Sequence, residues 1–299
     1  MLLYATVPGY YAEVERVAYP GLAGRPVIVG GDPRKRGLVQ SATPDALQAG
    51  VVEGMPMREA LERCPKGRAL RTDMPRYRNV SSRLRACFRR LTHRVEPAGL
   101  EAAFLEPGRP EETAGELAER LRETVREELK LPLRVGLAPA KFLAKIAAEE
   151  AGASGILRIE PGEVTSFLAP LPVSRLPGVG AKTAARLAEL SVHTVGEVAT
   201  LDRSVLEEHL GNHGLAILGY AQGRDDAHLR AVPQPRSLSQ ESTLDSDELD
   251  LASIQERIEG LAQRLEAGLL LERLAAKRVT LKVRYADQEQ ITRSCTLVR

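Results

Sequence analysis

The sequence predicts an α+β protein built from more than one compact unit. Short apolar strands alternate with amphipathic helices up to about residue 160, a run of short helices follows, and the last part combines one long helix with two strands. The early strands can form hairpins as well as crossovers, which favours α+β over a doubly wound parallel sheet. A chain of 299 residues is too long for one small core and suggests two to four units.

The first half of the chain supplies most of the predicted strands. Short apolar runs that end at glycine, proline or charged residues predict strands over residues 2–7, 26–30, 37–40, 133–137 and 155–159. Apolar residues at helical spacing predict helices over 10–17, 43–49, 56–63, 76–94, 112–130 and 140–148. A further strand is expected over 98–106, with Leu100, Ala102 and Phe104 on one face and Glu101 on the other.

The second half changes in texture. Short helices are expected from residue 164 to about 223, and Pro233-Gln-Pro235 indicates a stiff, extended linker. A strand over 236–244 and a helix over 250–273 should follow. In the next strand, Val279, Leu281 and Val283 alternate with polar residues, which predicts one buried and one polar face.

Composition excludes several classes of protein. No apolar run approaches the roughly 18–20 residues that span a bilayer, and the N-terminal residues lack the pattern of a signal peptide. The three cysteines and five histidines show no metal-ligand spacing. We therefore expect a cytoplasmic protein with no membrane partner, no cofactor and no metal site of this type. The net charge is only +2, so any nucleic-acid binding must come from local patches.

One glycine turn predicts phosphate binding. Gly178-Val-Gly180 lies between two predicted helices, with Lys182 and Thr183 just inside the second. Glycines let a ligand approach the backbone, and a helix N-terminus presents free N–H groups. A plain glycine turn between packed helices is the alternative.

Two other groups of basic residues are candidates for DNA binding. The helix over 76–94 carries Arg78, Arg83, Arg85, Arg89 and Arg90, which fit either a solvated face or a phosphate-binding surface. In the C-terminal sheet, the residues expected to face DNA are Arg236, Lys282, Arg284 and Arg293.

Six ordered segments together resemble the Y-family translesion DNA polymerases, which include the DinB and UmuC types. They are residues 10–15, 21–29, 50–57, 135–147, 176–180 and 236–243. The resemblance implies a right-hand fold. A palm with a mixed sheet spans 1–15 and 69–165, small fingers span 16–68, an all-helical thumb with a helix-hairpin-helix spans 166–232, and an incomplete α/β little finger spans 236–299.

Several positions depart from the family pattern. Such a polymerase needs about three carboxylates to hold two Mg²⁺ ions. The positions that correspond to them here are Thr6, Pro8, Glu101 and Ala102. The triphosphate-contacting positions fall on Pro44, Leu47 and Gly152, and the sugar-discriminating steric gate falls on Tyr11.

These departures predict a chain that is not an enzyme. It would resemble the ImuB-type adaptors of mutagenic translesion synthesis in the SOS response, bind DNA, and work with a partner polymerase, a RecA-like accessory protein and the sliding clamp. One alternative is a weak metal-dependent translesion polymerase that uses Glu101 and an unrecognised acid. The other is a protein-interaction scaffold that does not bind DNA.

Overall fold

A computed structural model describes residues 1–152, 155–225, 227–229, 237–244, 246–287 and 289–297. The chain divides into two compact units, Met1–Pro233 and Gln234–Arg299. Sheets and helices are mixed in both, so the α+β prediction is confirmed. Within these residues, no helix is both long and apolar enough to cross a bilayer.

A five-stranded sheet forms the centre of the first unit. Its strands are β1 (Leu2–Thr6), β5 (Val95–Pro97), β6 (Ala102–Leu105), β7 (Arg134–Ala138) and β8 (Ile156–Arg158), in the order β5-β6-β1-β7-β8. Strand β1 pairs antiparallel with both β6 and β7, whereas β7 and β8 are parallel. Strand β1 therefore occupies the middle of the sheet.

Helices cover both faces of this sheet. On one face, α4 (Met74–Leu91) and α5 (Ala114–Leu129) pack Phe88 and Leu121 against Leu3 of β1. On the other face, α6 (Lys141–Glu150) packs against Tyr4 and its neighbours. Because both faces are buried, the strands are apolar along their length instead of alternating.

A smaller sheet is formed by residues between β1 and α4. Its strands β2 (Val27–Gly30), β3 (Val39–Ala42) and β4 (Arg68–Arg71) lie in the order β3-β2-β4, and β4, which the sequence did not predict, runs parallel to β2. The helices of this region are α1 (Tyr10–Ala18), α2 (Pro44–Gln48) and α3 (Met57–Arg63). Ile28, Val39 and Met57 form its small core.

Short helices make up the rest of the first unit, as predicted. They are α7 (Val164–Leu168), α8 (Ala181–Glu189), α9 (Val195–Thr200), α10 (Arg203–Leu210) and α11 (Asn212–Ala221), with 3₁₀ turns at Pro161–Glu163 and Val173–Arg175. Leu187, Leu206 and Ile217 are fully buried and join these helices to the core beside α6.

The second unit contains one long helix, α12 (Leu251–Leu271), and a hairpin of β9 (Arg278–Arg284) and β10 (Gln290–Thr296). Residues 237–244 form no strand, so that part of the predicted strand 236–244 is wrong. The predicted buried face of β9 is also wrong, because Val279 is 48% and Leu281 38% exposed. A two-stranded hairpin offers too little area to bury one face fully.

Candidate active site and nucleic-acid interface

The fold brings the first set of site positions together. Thr6, at the end of β1, lies directly opposite Ala102, the first residue of β6. The Val7 N–H donates to the carbonyl oxygen of Glu101 at 3.1 Å, and Pro8 follows at once. Glu101 lies one residue before β6 and not within it, which corrects the expected strand 98–106. These positions meet at one end of the central strands, as a shared site requires.

The loop that carries Glu101 is held by helix α4. Ser81 Oγ donates to the Leu100 carbonyl at 2.7 Å, and Arg85 Nη2 donates to the Gly99 carbonyl at 2.9 Å. Gly99 has φ +84°, and a Cβ there would lie 2.9 Å from each carboxylate oxygen of Glu101. The glycine is therefore needed both for the turn and for the position of the Glu101 carboxylate.

The charge of Glu101 reaches three tyrosines and a second acid. Burial and, after it, the charge of Glu101 raise the pKa of Tyr4 to about 12, and the same two causes raise the pKa values of Tyr10 and Tyr11. Burial first and the Glu101 charge second also raise the pKa of Glu53. Glu53 lies between α2 and α3, and neither its spacing nor its neighbours in the sequence indicated that it approaches Glu101.

The residues present do not fit a pair of magnesium ions. Of the four matched positions, only Glu101 has a carboxylate; Thr6 offers a neutral hydroxyl, and Pro8 and Ala102 offer no side-chain oxygen. In the part of the chain that the structure describes, no group of three or more His, Cys, Asp and Glu residues is placed to hold a metal. A two-metal centre built from about three carboxylates is thus not formed by these side chains.

The second set of positions offers no charged group to a triphosphate. Pro44 is the first residue of α2, and Leu47 on the same helix is 42% exposed. Gly152 follows α6, with open space where a Cβ would be. Tyr11 stacks on Tyr77 with ring centroids 4.4 Å apart and planes 7° apart, so its ring is fixed by packing. Its role as a steric gate stays a prediction.

The glycine turn before α8 has an open backbone. Gly178 has φ +81° and its carbonyl accepts from the ring of His213 at 3.1 Å. Gly180 precedes the helix with nothing within 4 Å of a Cβ built on it, and no side chain caps the helix. Lys182 is exposed and Thr183 half-buried in the first turn. These four residues lie together as predicted.

The C-terminal hairpin places its basic residues on two faces. Lys282 lies opposite Thr292 and Arg284 opposite Gln290, whereas Arg293 lies opposite Leu281. Directly opposite residues share a face of the sheet. Lys282 and Arg284 are therefore on the polar face, and Arg293 is on the apolar face, contrary to the expectation of one shared surface. Arg236 lies outside the described residues.

Comparison with known proteins identifies the family. A family model for the impB/mucB/samB family matches residues 6–149, its C-terminal domain model matches 235–299, and a helix-hairpin-helix model of the same family matches 161–190. The chain is 36% identical, over its whole length and 84% of the relative, to a protein of Methanoculleus marisnigri named DNA polymerase IV. A DNA polymerase IV of Alkalilimnicola ehrlichii is 35% identical over 98% of this chain and 83% of that protein. The chain belongs to the Y-family of DNA polymerases.

Solved Y-family structures share the fold of this chain. A chimeric Y-family DNA polymerase superposes with a TM-score of 0.85 and 24% identity, over 100% of this chain and 88% of the other. An insertion ternary complex of Dbh DNA polymerase gives 0.71 and 25%, over 99% and 87%. The predicted right-hand Y-family architecture is confirmed.

One prediction is overturned by these relatives. Proteins that match nearly the whole of this Y-family chain at 31–36% identity are named for an enzyme, DNA polymerase IV. The prediction that the chain is not an enzyme, made from the residue types at four positions, is therefore wrong. Residue types at matched positions describe a site's ligands and do not by themselves decide whether a chain is an enzyme.

Proposed function

We propose that this Y-family chain binds primer–template DNA, mainly through backbone phosphates, and acts in DNA repair by translesion synthesis. Two findings support the proposal: the relatives carry the name DNA polymerase IV, and a structural neighbour at 25% identity is an insertion ternary complex of a DNA polymerase. The observation that carries it is the open glycine turn at the start of α8.

The first contact surface is the N-terminus of α8. The first N–H groups of a helix have no partner within it, and they form the positive end of the helix dipole. Within the described residues, no side chain caps those groups, and no atom outside the adjoining residues lies within 4 Å of the Cβ position of Gly180. A phosphate can therefore approach the backbone, and the exposed ammonium of Lys182 adds charge beside it.

The second contact surface is the polar face of the β9–β10 hairpin. Lys282 and Arg284 are two residues apart on β9 and both exposed, opposite the uncharged polar side chains of Thr292 and Gln290. Charged groups on one side of a sheet suit a phosphate backbone, and such contacts position DNA without reading its sequence. We expect binding that depends little on base sequence.

Charge reversal tests both surfaces. In a fluorescence-anisotropy titration of primed DNA, the triple variant Lys182→Glu, Lys282→Glu, Arg284→Glu should bind at least about tenfold more weakly than the wild type, because charge-assisted contacts contribute about 1.5–3 kcal/mol each. The matched control is Arg293→Glu, which reverses one charge on the opposite face of the same hairpin and should change affinity less than Arg284→Glu does alone. Unchanged affinity in the triple variant would contradict the proposal.

The division into subdomains is part of the same proposal. The resemblance divides the chain into a palm over 1–15 and 69–165, fingers over 16–68, a thumb over 166–232 and a little finger over 236–299. Because β4 pairs with β2, the end of the fingers is better placed after Arg71. The partner polymerase, RecA-like protein and sliding clamp that the resemblance implied stay predictions.

A further inference from the structure

Helix α4 carries six arginines and no acidic residue in 18 positions. Arg76 pairs with the buried Glu15, and the other five divide into two stripes by their contacts. Arg83 and Arg90 face α5, where Arg83 donates to the Glu128 carbonyl at 3.4 Å and Arg90 pairs with the Glu128 carboxylate at 2.5 Å. These two arginines are used by the fold itself.

The second stripe consists of Arg78, Arg85 and Arg89, and we call it the α4 stripe. Positions i, i+7 and i+11 of an α-helix lie within about 20° of one line, and the three span about 16 Å along the axis. Arg78 and Arg89 are exposed, and their guanidinium groups form no ion pair or hydrogen bond with any residue in the described ranges. Arg85 bonds the Gly99 carbonyl, but its Nε is buried and has no partner in the described structure. The α4 stripe thus has unused donors.

Two arginines of the α4 stripe lie beside the candidate active site. Arg85 holds the loop two residues before Glu101, and Arg78 is close enough to Tyr11 for its positive charge to counteract the increase in the pKa of that tyrosine. An anionic chain that leaves this site along α4 would meet the guanidinium groups in turn.

We propose that the α4 stripe binds the backbone of single-stranded DNA that continues from a primed duplex. The inference rests on the proposed function, since it needs DNA at the candidate site. A single line of three cations matches the one phosphate backbone of a single strand, whereas a duplex presents two phosphate backbones. Guanidinium groups also bind phosphate oxygens in a bidentate way that suits this ligand. The same arginines would also attract an acidic protein, but binding of such a protein would not explain why the α4 stripe lies beside the candidate active site.

The test compares a blunt duplex with the same duplex carrying a single-stranded extension of about 12 nucleotides, within the usual site sizes for single strands. The full chain is titrated by anisotropy, with extensions at either end in separate experiments. The wild type should prefer an extended duplex by about tenfold, and Arg78→Gln with Arg89→Gln should remove that preference. The salt slope of the extended duplex should become shallower by about 1.4, because each single-strand phosphate that is no longer neutralised reduces it by about 0.7.

The control is Arg83→Gln with Arg90→Gln, which removes the same charge from the same helix and should keep the preference. Equal affinity of the wild type for blunt and extended duplexes would overturn the proposal but leave the proposed function standing, whereas no DNA binding at all would remove both. Equal losses of affinity in the two variant pairs would also overturn it, as an effect of net charge. Binding of poly-glutamate that needs Arg78 and Arg89, without any preference for the extension, would assign the stripe to an acidic protein instead.

Discussion

The two glycines of the turn before α8 should respond to alanine in opposite ways. Gly178 has φ +81°, and an added Cβ would lie 2.6 Å from Cε1 of His213. A left-handed conformation costs a non-glycine residue about 1–2 kcal/mol. Moving His213 away also breaks its bond to the Gly178 carbonyl, at about 0.5–1.5 kcal/mol. Gly178→Ala should therefore lower the local opening free energy by about 1.5–3.5 kcal/mol.

Gly180 is the matched control. Its backbone has φ −86°, which any residue adopts, and nothing lies within 4 Å of the Cβ position. Gly180→Ala should leave the stability of the turn nearly unchanged. It should weaken DNA binding, because the methyl group occupies the space through which a phosphate approaches the helix N-terminus.

Hydrogen–deuterium exchange measures the stability effect in the part of the chain concerned, and anisotropy measures the effect on DNA affinity. Peptides that cover 176–190 should exchange roughly 10- to 300-fold faster in Gly178→Ala than in the wild type, because 1.4 kcal/mol corresponds to tenfold. In a His213→Ala background, Gly178→Ala should lower the opening free energy only by the cost of the left-handed backbone conformation, about 1–2 kcal/mol. Wild-type exchange rates in Gly178→Ala, or wild-type DNA affinity in Gly180→Ala, would refute this reasoning.

Three further outcomes follow from the structure. Hydrogen bonds from Arg34 and Arg71 hold the pKa of Asp32 at about 2, below its usual 3.8. The stability that these bonds give is present above pH 3.8 and is lost as the pH falls through about 2. Acid unfolding of Asp32→Asn should therefore be less steep in that window than acid unfolding of the wild type. Tyr77→Phe should cost about 1–2 kcal/mol in denaturant unfolding, because it removes the 2.9 Å hydrogen bond to the buried carboxylate of Glu15; unchanged stability would contradict that bond. Any template-directed primer extension should disappear in Glu101→Gln, since Glu101 supplies the one carboxylate at the matched positions. It should persist in the exposed control Glu111→Gln. Extension that survives in Glu101→Gln would contradict the assignment of Glu101 to the site.

Much of the first unit could be predicted from local pattern. The strand at 2–6 and the helices at 114–129 and 141–150 follow from the spacing of their apolar residues. Those residues lie within a few positions of one another. Strand β4, by contrast, has half-exposed or exposed residues throughout and is held by its parallel pairing with β2. Nothing in its own four residues encodes that pairing.

The candidate site shows the same limit. The resemblance assigned Thr6, Glu101 and Ala102 to one site, and the fold brings them together because Thr6 ends β1, Ala102 begins β6 and Glu101 directly precedes it. The approach of Glu53 to Glu101 depends on how two sheets pack, which spacing does not reveal. The face of Arg293 depends on the hairpin register, and a register shifted by one residue would have placed it beside Lys282.

The salt dependence of affinity for a primed duplex shows whether this chain binds DNA through its phosphates. Contacts from Lys182, Lys282 and Arg284 to duplex phosphates predict that log K falls with log salt at a slope of at least about −2.7, at 0.9 per phosphate. Affinities for two primed duplexes of unrelated sequence should agree at each salt concentration. A flat salt response, or strong dependence on sequence, would contradict an account in which this Y-family chain binds DNA through its backbone.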